Sequence, residues 1–196
     1  MTASKRPTLR RLAVWASAFV LVGLADPHPT PFIAGCLLVA LAWMLRIWAF
    51  GHLEKNATLV TTGPYAHTRN PAYLGTGLAL LGLCLAAGNA ATRQGRTVWT
   101  FAAFLLLVFF FFYLPRKFQR EYGRLERLFG ERVQRHAAHV PDFLPRLRPW
   151  RSGDPRSFSW QRVSENHEWP WGLVLALLLV GVWFAPLWSP LHGLFE

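Results

Sequence analysis

Residues 59–75 concentrate the polar and aromatic side chains that are useful for binding a small charged ligand. They read Leu-Val-Thr-Thr-Gly-Pro-Tyr-Ala-His-Thr-Arg-Asn-Pro-Ala-Tyr-Leu-Gly, between two long apolar runs. Turn formation explains the glycine, the prolines and the asparagine, but it does not explain why Tyr65, His67, Arg69 and Tyr73 gather there. The stretch indicates a ligand site. From these residues alone, an aromatic belt at a membrane interface with a topology-setting arginine remains an alternative.

The backbone of this stretch is set by two proline dipeptides. Gly63-Pro64 predicts a turn just before the aromatic Tyr65. Asn70-Pro71 predicts the start of a helix, with Asn70 as N-cap and Pro71 at the first helical position.

A second candidate for chemistry is Glu121, which lies in a segment with an amphipathic pattern. Phe118, Tyr122, Leu125 and Phe129 recur at three- and four-residue intervals among Arg and Glu residues, as on one face of a helix. Glu121 stands at the border of that face, so it can point inward. The open alternative is an exposed pair with Lys117 or Arg124, which is worth only about 0.3–0.5 kcal/mol.

The elements that must position these residues are predicted to be membrane helices. Of the 196 residues, 53% are hydrophobic and only 16% are charged, which is too apolar for an ordinary soluble domain. The pattern predicts an all-α integral membrane protein with about five transmembrane helices, each spanning a bilayer with some tilt. They are expected at 9–25, 31–50, 72–87, 98–114 and 169–188, with a ligand-binding loop at 51–71 and a cytoplasmic amphipathic segment at 115–168.

The distribution of Lys and Arg predicts the orientation. Basic residues number 4 in the N-terminal tail up to Arg11, none in the 26–30 connector and 12 between 115 and 168. Since positively charged short loops stay in the cytoplasm, we expect a cytoplasmic N-terminus and an outer C-terminus. The loop at 51–71 and the segment at 115–168 then lie on one face of the membrane.

Other function classes fit the composition less well. Lys and Arg exceed Asp and Glu by 21 to 10, but the basic runs adjoin apolar stretches of membrane length, which argues against a nucleic-acid-binding domain. Cys36 and Cys84 lie inside apolar runs. His136 and His139 have no Cys, Asp or Glu at a sequence spacing that is typical of metal ligands. We therefore predict no metal site.

Two separated motifs of the chain resemble those of a known family. The run from Gly63 to Gly75, preceded by Arg46-x-Trp48-Ala49-x-Gly51, resembles the core of the isoprenylcysteine carboxyl methyltransferase family and of the similar phospholipid N-methyltransferases. The likeness continues through Glu121, Leu125, Phe129-Gly130 and Val140-Pro141, so it covers roughly residues 35–145. Where the family usually has paired Glu-Glu, this chain has Glu121-Tyr122.

The resemblance implies methyl transfer from S-adenosylmethionine to a membrane-embedded or lipid-like acceptor, of which an isoprenylcysteine carboxylate is one example. It implies catalytic roles for Arg69 and Glu121, with Arg69 and the helix start near it suited to the methionine carboxylate. Glu121 suits the ammonium or the ribose hydroxyls, and Tyr65, Tyr73 and Trp48 are candidates to face the sulfonium. The implied cofactor-binding set is Val60, Gly63, Pro64, Tyr65, His67, Arg69, Asn70, Pro71, Tyr73, Gly75 and Glu121. If the acceptor must lose a proton, His67 or Glu121 is the nearest base.

Two alternatives remain open. Sterol and steroid reductases carry a related Gly-Pro-Tyr segment and bind NADPH, although this chain lacks a glycine-rich dinucleotide fingerprint. A membrane scaffold that has lost activity is the non-enzymatic alternative, supported by the missing second Glu. The short loops and the absence of a transit peptide are typical of a bacterial inner-membrane protein.

Overall fold

Every regular element in the described part of the chain is helical. A computed structural model describes residues 6–55, 57–154 and 156–193. Eight α-helices follow one another: α1 (Arg6–Gly23), α2 (Pro29–His52), α3 (Pro71–Ala86), α4 (Arg93–Leu107), α5 (Leu114–Phe129), α6 (Glu131–His139), α7 (Trp160–Glu165) and α8 (Glu168–Trp188). A short 3₁₀ turn, Gly63–Ala66, precedes α3, and a π-helical segment, Val108–Tyr113, joins α4 to α5.

Three of these helical stretches are long and apolar enough to cross a membrane, among the residues that the structure describes. They are Pro29–His52, Glu168–Trp188 and the continuous helix Arg93–Phe129, while Pro71–Ala86 is apolar but shorter. The first helix, with 18 residues, does not meet the same criteria. These helices are consistent with an integral membrane protein, and the expected total of about five spans stays a prediction.

The fourth predicted span differs most from the structure. We expected it over 98–114, followed by an amphipathic helix that either continues it or lies in the interface. The helix in fact begins at Arg93, and it continues through the π-helical segment to Phe129, as in the first of these alternatives. Its 37 residues extend about 55 Å, well beyond the roughly 30 Å of a hydrocarbon core. The polar α5 therefore extends α4 beyond the length that is needed to cross a bilayer.

Close packing of α2 on α3 forms the centre of the bundle. A methyl group placed on Gly35 would lie 2.4 Å from the carbonyl oxygen of Gly82, so the two backbones touch where only glycine fits. Next to this contact, Val39, Ala79 and Leu175 form a buried cluster that adds α8 to the pair. Small residues thus replace hydrophobic bulk at the main helix interface.

Backbone contacts define the two ends of the bundle. At one end the Asp26 amide donates to the Ala87 carbonyl at 2.8 Å and the Ser189 hydroxyl donates to the Gly23 carbonyl at 2.5 Å. At the other end the Ser159 amide donates to the Gly51 carbonyl at 2.9 Å. The loop after α2 and the segment before α8 therefore lie together at this second end, which we call the cavity end.

Candidate functional site

A cavity of about 730 Å³ opens at the cavity end of the bundle. Its volume lies in the range of small-molecule and cofactor sites. The walls come from the end of α2, the loop before α3, the first turn of α3, and the α5 and α6 helices. The residues that line it are Arg46, Phe50, Leu53, Glu54, Lys55, Thr58, Leu59, Val60, Tyr65, Arg69, Asn70, Pro71, Ala72, Tyr73, Lys117, Phe118, Arg120, Glu121, Tyr122, Arg124, Leu125, Phe129, Val133, His136 and Asp142.

Arg69 lies in the cavity wall with donor capacity to spare. Its Nη2 contacts Oδ1 of Asp142 at 2.5 Å, and its guanidinium carbon is 5.4 Å from the centre of the Tyr122 ring. The Nε–H is buried and donates to no acceptor among the described residues. A buried unsatisfied donor of this kind costs about 1–3 kcal/mol unless a ligand pairs with it.

Glu121 faces the same cavity from α5. Its carboxylate pairs with Arg124, three residues further along the helix, and its side chain is 27% exposed. The sequence left open whether Glu121 points inward or forms an ion pair along the helix. In the structure it does both. Because Arg124 is itself 43% exposed, solvent screens much of this pair.

Tyr65 and Tyr73 provide the aromatic surfaces near these charges. Tyr65 is buried in the 3₁₀ turn, and its carbonyl oxygen accepts a hydrogen bond from Nε2 of His136 at 2.9 Å. Burial raises the pKa of the Tyr65 hydroxyl above its usual range, so the group stays neutral. Tyr73 is half-buried and packs edge-on against Phe118 of α5, with ring centres 5.8 Å apart.

The remaining predicted site residues divide into lining and supporting positions. Val60, Asn70 and Pro71 line the cavity. Asn70 occupies the N-cap position, but its side chain makes no capping bond and instead donates to the Asp142 carbonyl at 3.0 Å. This bond joins the start of α3 to the segment after α6. The predicted helix start at Pro71 is present, with a different role for its asparagine.

Four predicted residues support the site without lining it: Gly63, Pro64, His67 and Gly75. Gly63 has a φ of +58°, and a methyl group there would lie 2.6 Å from the His52 ring. Nδ1 of His67 bonds to the Arg146 carbonyl at 2.8 Å. Gly75 lets the Arg46 side chain pass across α3, since a methyl group there would lie 2.5 Å from Cγ of Arg46. Trp48 is 42% exposed and also lies outside the walls.

Three comparisons with known proteins bear on this site. The phospholipid methyltransferase family model matches residues 30–121. The cobalt-zinc-cadmium resistance protein CzcN of Cupriavidus metallidurans is 31% identical over 182 residues, which cover 85% of this chain and 79% of that protein. The chain belongs to the phospholipid methyltransferase family. The match confirms the resemblance drawn from the motifs to the wider group of membrane methyltransferases.

A further relative is similar over most of both chains. The nickel-cobalt-cadmium resistance protein NccN of Alcaligenes xylosoxydans xylosoxydans is 29% identical over 199 residues, 93% of this chain and 88% of that protein. No solved structure matches the chain. Among its described residues there is no group of three or more His, Cys, Asp or Glu side chains placed to hold a metal ion.

The family-matched segment supplies only part of the cavity. It ends at Glu121, so the lining residues Tyr122, His136 and Asp142 come from beyond it. The Asp142 contact to Arg69 was not predicted, although Asp142 directly follows Val140-Pro141, which carried the resemblance. The sequence placed Tyr122 on the amphipathic face and at the position of a second glutamate, but no local pattern predicts that its ring reaches Arg69.

The charge on the walls is predominantly positive. Among the lining residues, Arg46, Lys55, Arg69, Lys117, Arg120 and Arg124 are basic, and Glu54, Glu121 and Asp142 are acidic. Lys55 and Arg120 are exposed at the rim, whereas the side chain of Arg46 is only 11% exposed. The rim is therefore suited to attract a negatively charged group from solution or from a lipid headgroup.

Proposed function

We propose that this protein transfers a methyl group from S-adenosylmethionine to a membrane-embedded or lipid-like acceptor. The observation that carries the proposal is the cavity in which an arginine with an unpaired buried donor, a carboxylate and two tyrosines lie around one space. Membership of a membrane methyltransferase family supports the same reaction class.

The donor groups in the cavity fit the chemical groups of this cofactor. Arg69 has an Nε–H and a planar fork suited to the amino-acid carboxylate. Glu121 is an acceptor for the ammonium or for ribose hydroxyls, and the face of Tyr73 suits a cation. When bound, S-adenosylmethionine supplies a methyl group made electrophilic by its positive sulfonium.

The protein's own contribution to such a reaction is positioning and exclusion of water. An in-line displacement needs two reactants held at short distance, and ordered binding alone supplies several kcal/mol of the barrier reduction. For an acceptor that is already a carboxylate, no base is needed. For an amine or a thiol, we propose Glu121 as the proton acceptor, because Glu121 lines the cavity and His67 does not.

The acceptor is proposed to approach from the lipid. The π-helical segment carries the exposed side chains of Phe111 and Phe112, and α5 continues from it to the cavity rim with Lys117 and Phe118. A lipid-like molecule with an anionic or zwitterionic headgroup would place its chain against the aromatics and its headgroup at the basic rim. We propose that this end faces the cytoplasm of a bacterial inner membrane, where the cofactor is present.

The direct test is transfer of label. Detergent-solubilised protein is incubated with methyl-tritiated S-adenosylmethionine and vesicles of extracted bacterial membrane lipids, either anionic or zwitterionic. We expect label in the lipid fraction, reduced to background by the double change Arg69→Ala and Glu121→Gln. The matched control is Arg96→Ala, because Arg96 is exposed at the opposite end of the bundle.

The reductase alternative is separated by binding. Isothermal titration of the same protein should show binding of S-adenosylmethionine if the protein is a methyltransferase, and binding of NADPH if it is a reductase. Tight binding of NADPH alone, with no transfer of label, would end the methyltransferase proposal in favour of a membrane reductase.

The names of the two relatives supply a cellular test that also addresses the scaffold alternative. We propose that methyl transfer by this chain contributes to metal tolerance. Cells that depend on it are grown with cobalt, zinc or cadmium and carry either the parental chain or the Arg69→Ala, Glu121→Gln variant. Loss of tolerance with the variant still inserted indicates catalysis, whereas unchanged tolerance indicates a non-catalytic role.

A further inference from the structure

A second arginine of the cavity, Arg46, is paired with a carboxylate from the last helix. Its Nε and Nη2 donate to the two carboxylate oxygens of Glu168 at 3.0 and 2.7 Å, which is a bidentate contact. The side chains of Arg46 and Glu168 are 11% and 4% exposed. This pair joins α2 to α8, 122 residues apart in the chain.

The Nη1 group of Arg46 is also engaged. Nη1 donates to the Ala72 carbonyl at 3.2 Å and to the Thr76 hydroxyl at 2.7 Å. The guanidinium carbon lies 3.9 Å from the centre of the Trp171 ring. Arg46 is therefore held on three sides by α3 and α8, in contrast to Arg69, which keeps an unpaired Nε–H.

The two arginines thus have different electrostatic roles in one cavity. The partner of Arg69, Asp142, is 56% exposed, so solvent screens that pair and leaves Arg69 able to bind an anion. The partner of Arg46, Glu168, is buried and compensates the charge of the guanidinium within the bundle. A buried cation without such a partner would act on the cavity with little screening, because the effective dielectric constant is low there.

The sign of that uncompensated charge matters for the ligand. The lining residues already include twice as many basic as acidic side chains, and the rim members are exposed to water. A bare Arg46 would add a positive charge at a largely buried part of the wall. It would repel a sulfonium and would have little effect on a neutral thioether.

We propose that Glu168 is a positioning residue that neutralises Arg46 and thereby sets the preference of the cavity for S-adenosylmethionine over S-adenosylhomocysteine. The inference rests on the proposed function. It assigns a role to α8, which lies beyond the family-matched residues 30–121.

The test compares the dissociation constants of these two ligands, which differ by one methyl group and one positive charge. In Glu168→Gln the uncompensated Arg46 should raise the ratio of the S-adenosylmethionine constant to the S-adenosylhomocysteine constant by about tenfold. In Arg46→Gln the unpaired carboxylate should lower the same ratio. In the double variant Arg46→Gln, Glu168→Gln the ratio should return close to the parental value.

Titration calorimetry on the full chain in detergent gives both constants, and thermal melting shows whether each variant is folded. If one single variant does not fold, the other still decides the question, since the two shifts have opposite signs. The inference is overturned if the ratio of the two dissociation constants stays at the parental value in folded single variants, even if both constants rise together. The pair would then only hold α2 and α8 together. Failure of the parental chain to bind either ligand would instead count against the proposed function.

Discussion

Individual side chains at the cavity end contact partners that lie far along the chain. Arg69 contacts Asp142 and the Tyr122 ring, and the Tyr65 carbonyl accepts from His136. The motif around Arg69 was predictable because residue types and spacing within one short segment define it. Its partners were not, because they depend on how a later segment returns to the bundle.

The position of the missing second glutamate shows how a tertiary contact can change the interpretation of a sequence feature. As a sequence feature, Glu121-Tyr122 supported the alternative of a scaffold that has lost activity. In the fold, the Tyr122 ring lies 5.4 Å from the Arg69 guanidinium carbon, an arrangement that attracts the cation without neutralising it. Tyr122 therefore leaves the charge of Arg69 available for an anionic group, and solvent screens the exposed Asp142 carboxylate that pairs with it.

Arg69 is expected to dominate binding of the cofactor carboxylate. Loss of a charged hydrogen bond weakens binding by about 1.5–3 kcal/mol, so Arg69→Ala should raise the dissociation constant for S-adenosylmethionine roughly 10- to 100-fold. Arg69→Lys should be intermediate, because it keeps the charge and loses the fork. Titration calorimetry measures both, with Arg96→Ala as control; equal affinity in all variants would exclude Arg69 from the site.

Glu121 is expected to contribute a smaller, charge-dependent share. Glu121→Gln removes the anion and keeps the shape, and we expect the same dissociation constant to rise about tenfold. Glu126→Gln is the matched control, since Glu126 is on the same helix and bonds to Gln134 outside the cavity. A similar affinity change in both variants would indicate a general effect of α5 and not a contact at Glu121.

At the scale of elements, the apolar helices were predictable and the polar connections were not. The predicted spans at 31–50, 72–87 and 169–188 correspond to α2, α3 and α8, because long apolar runs leave few alternatives. The start of α4 was missed because Arg93 and Gln94 are polar, yet Gln94 is buried and donates to the Leu24 carbonyl at 3.0 Å. A tertiary partner there outweighs the local pattern.

The α6 helix carries a pH-sensitive element. His136 is 4% exposed, and burial, with further contributions from Arg69 and His139, lowers its pKa below the ordinary value of 6.5. The folded state therefore binds fewer protons than the unfolded state once the pH falls to this range. The contribution of His136 to stability is complete above about pH 6.5 and is lost as the pH falls through its depressed pKa.

The corresponding prediction concerns thermal melting. The melting temperature of the detergent-solubilised protein should fall as the pH is lowered from 7 to 5. In His136→Gln, which retains a donor for the Tyr65 carbonyl, this fall should be smaller. The exposed His28→Gln is the control and should follow the parental curve. An identical pH dependence in His136→Gln and the parent would show that another group is responsible.

At the scale of the whole molecule, the chain brings two distant segments to one end of a helical bundle. The loop between α2 and α3 and the polar continuation of α4 enclose the cavity, and the backbone bond from the Ser159 amide to Gly51 holds the final segment beside them. Convergence at one membrane face was predicted from the alternating distribution of Lys and Arg. The contribution of α8 through Glu168 was not, because one acidic residue at the start of an apolar run has no sequence signature of its own.

We expect S-adenosylmethionine to bind in this cavity. The most direct measurement is ultraviolet crosslinking of methyl-tritiated S-adenosylmethionine to the full chain, followed by mapping of the labelled peptides. We predict label within residues 46–73 or 117–142, displaced by S-adenosylhomocysteine and not by NADPH. Label confined to the opposite end of the bundle, or displaced only by NADPH, would contradict the account.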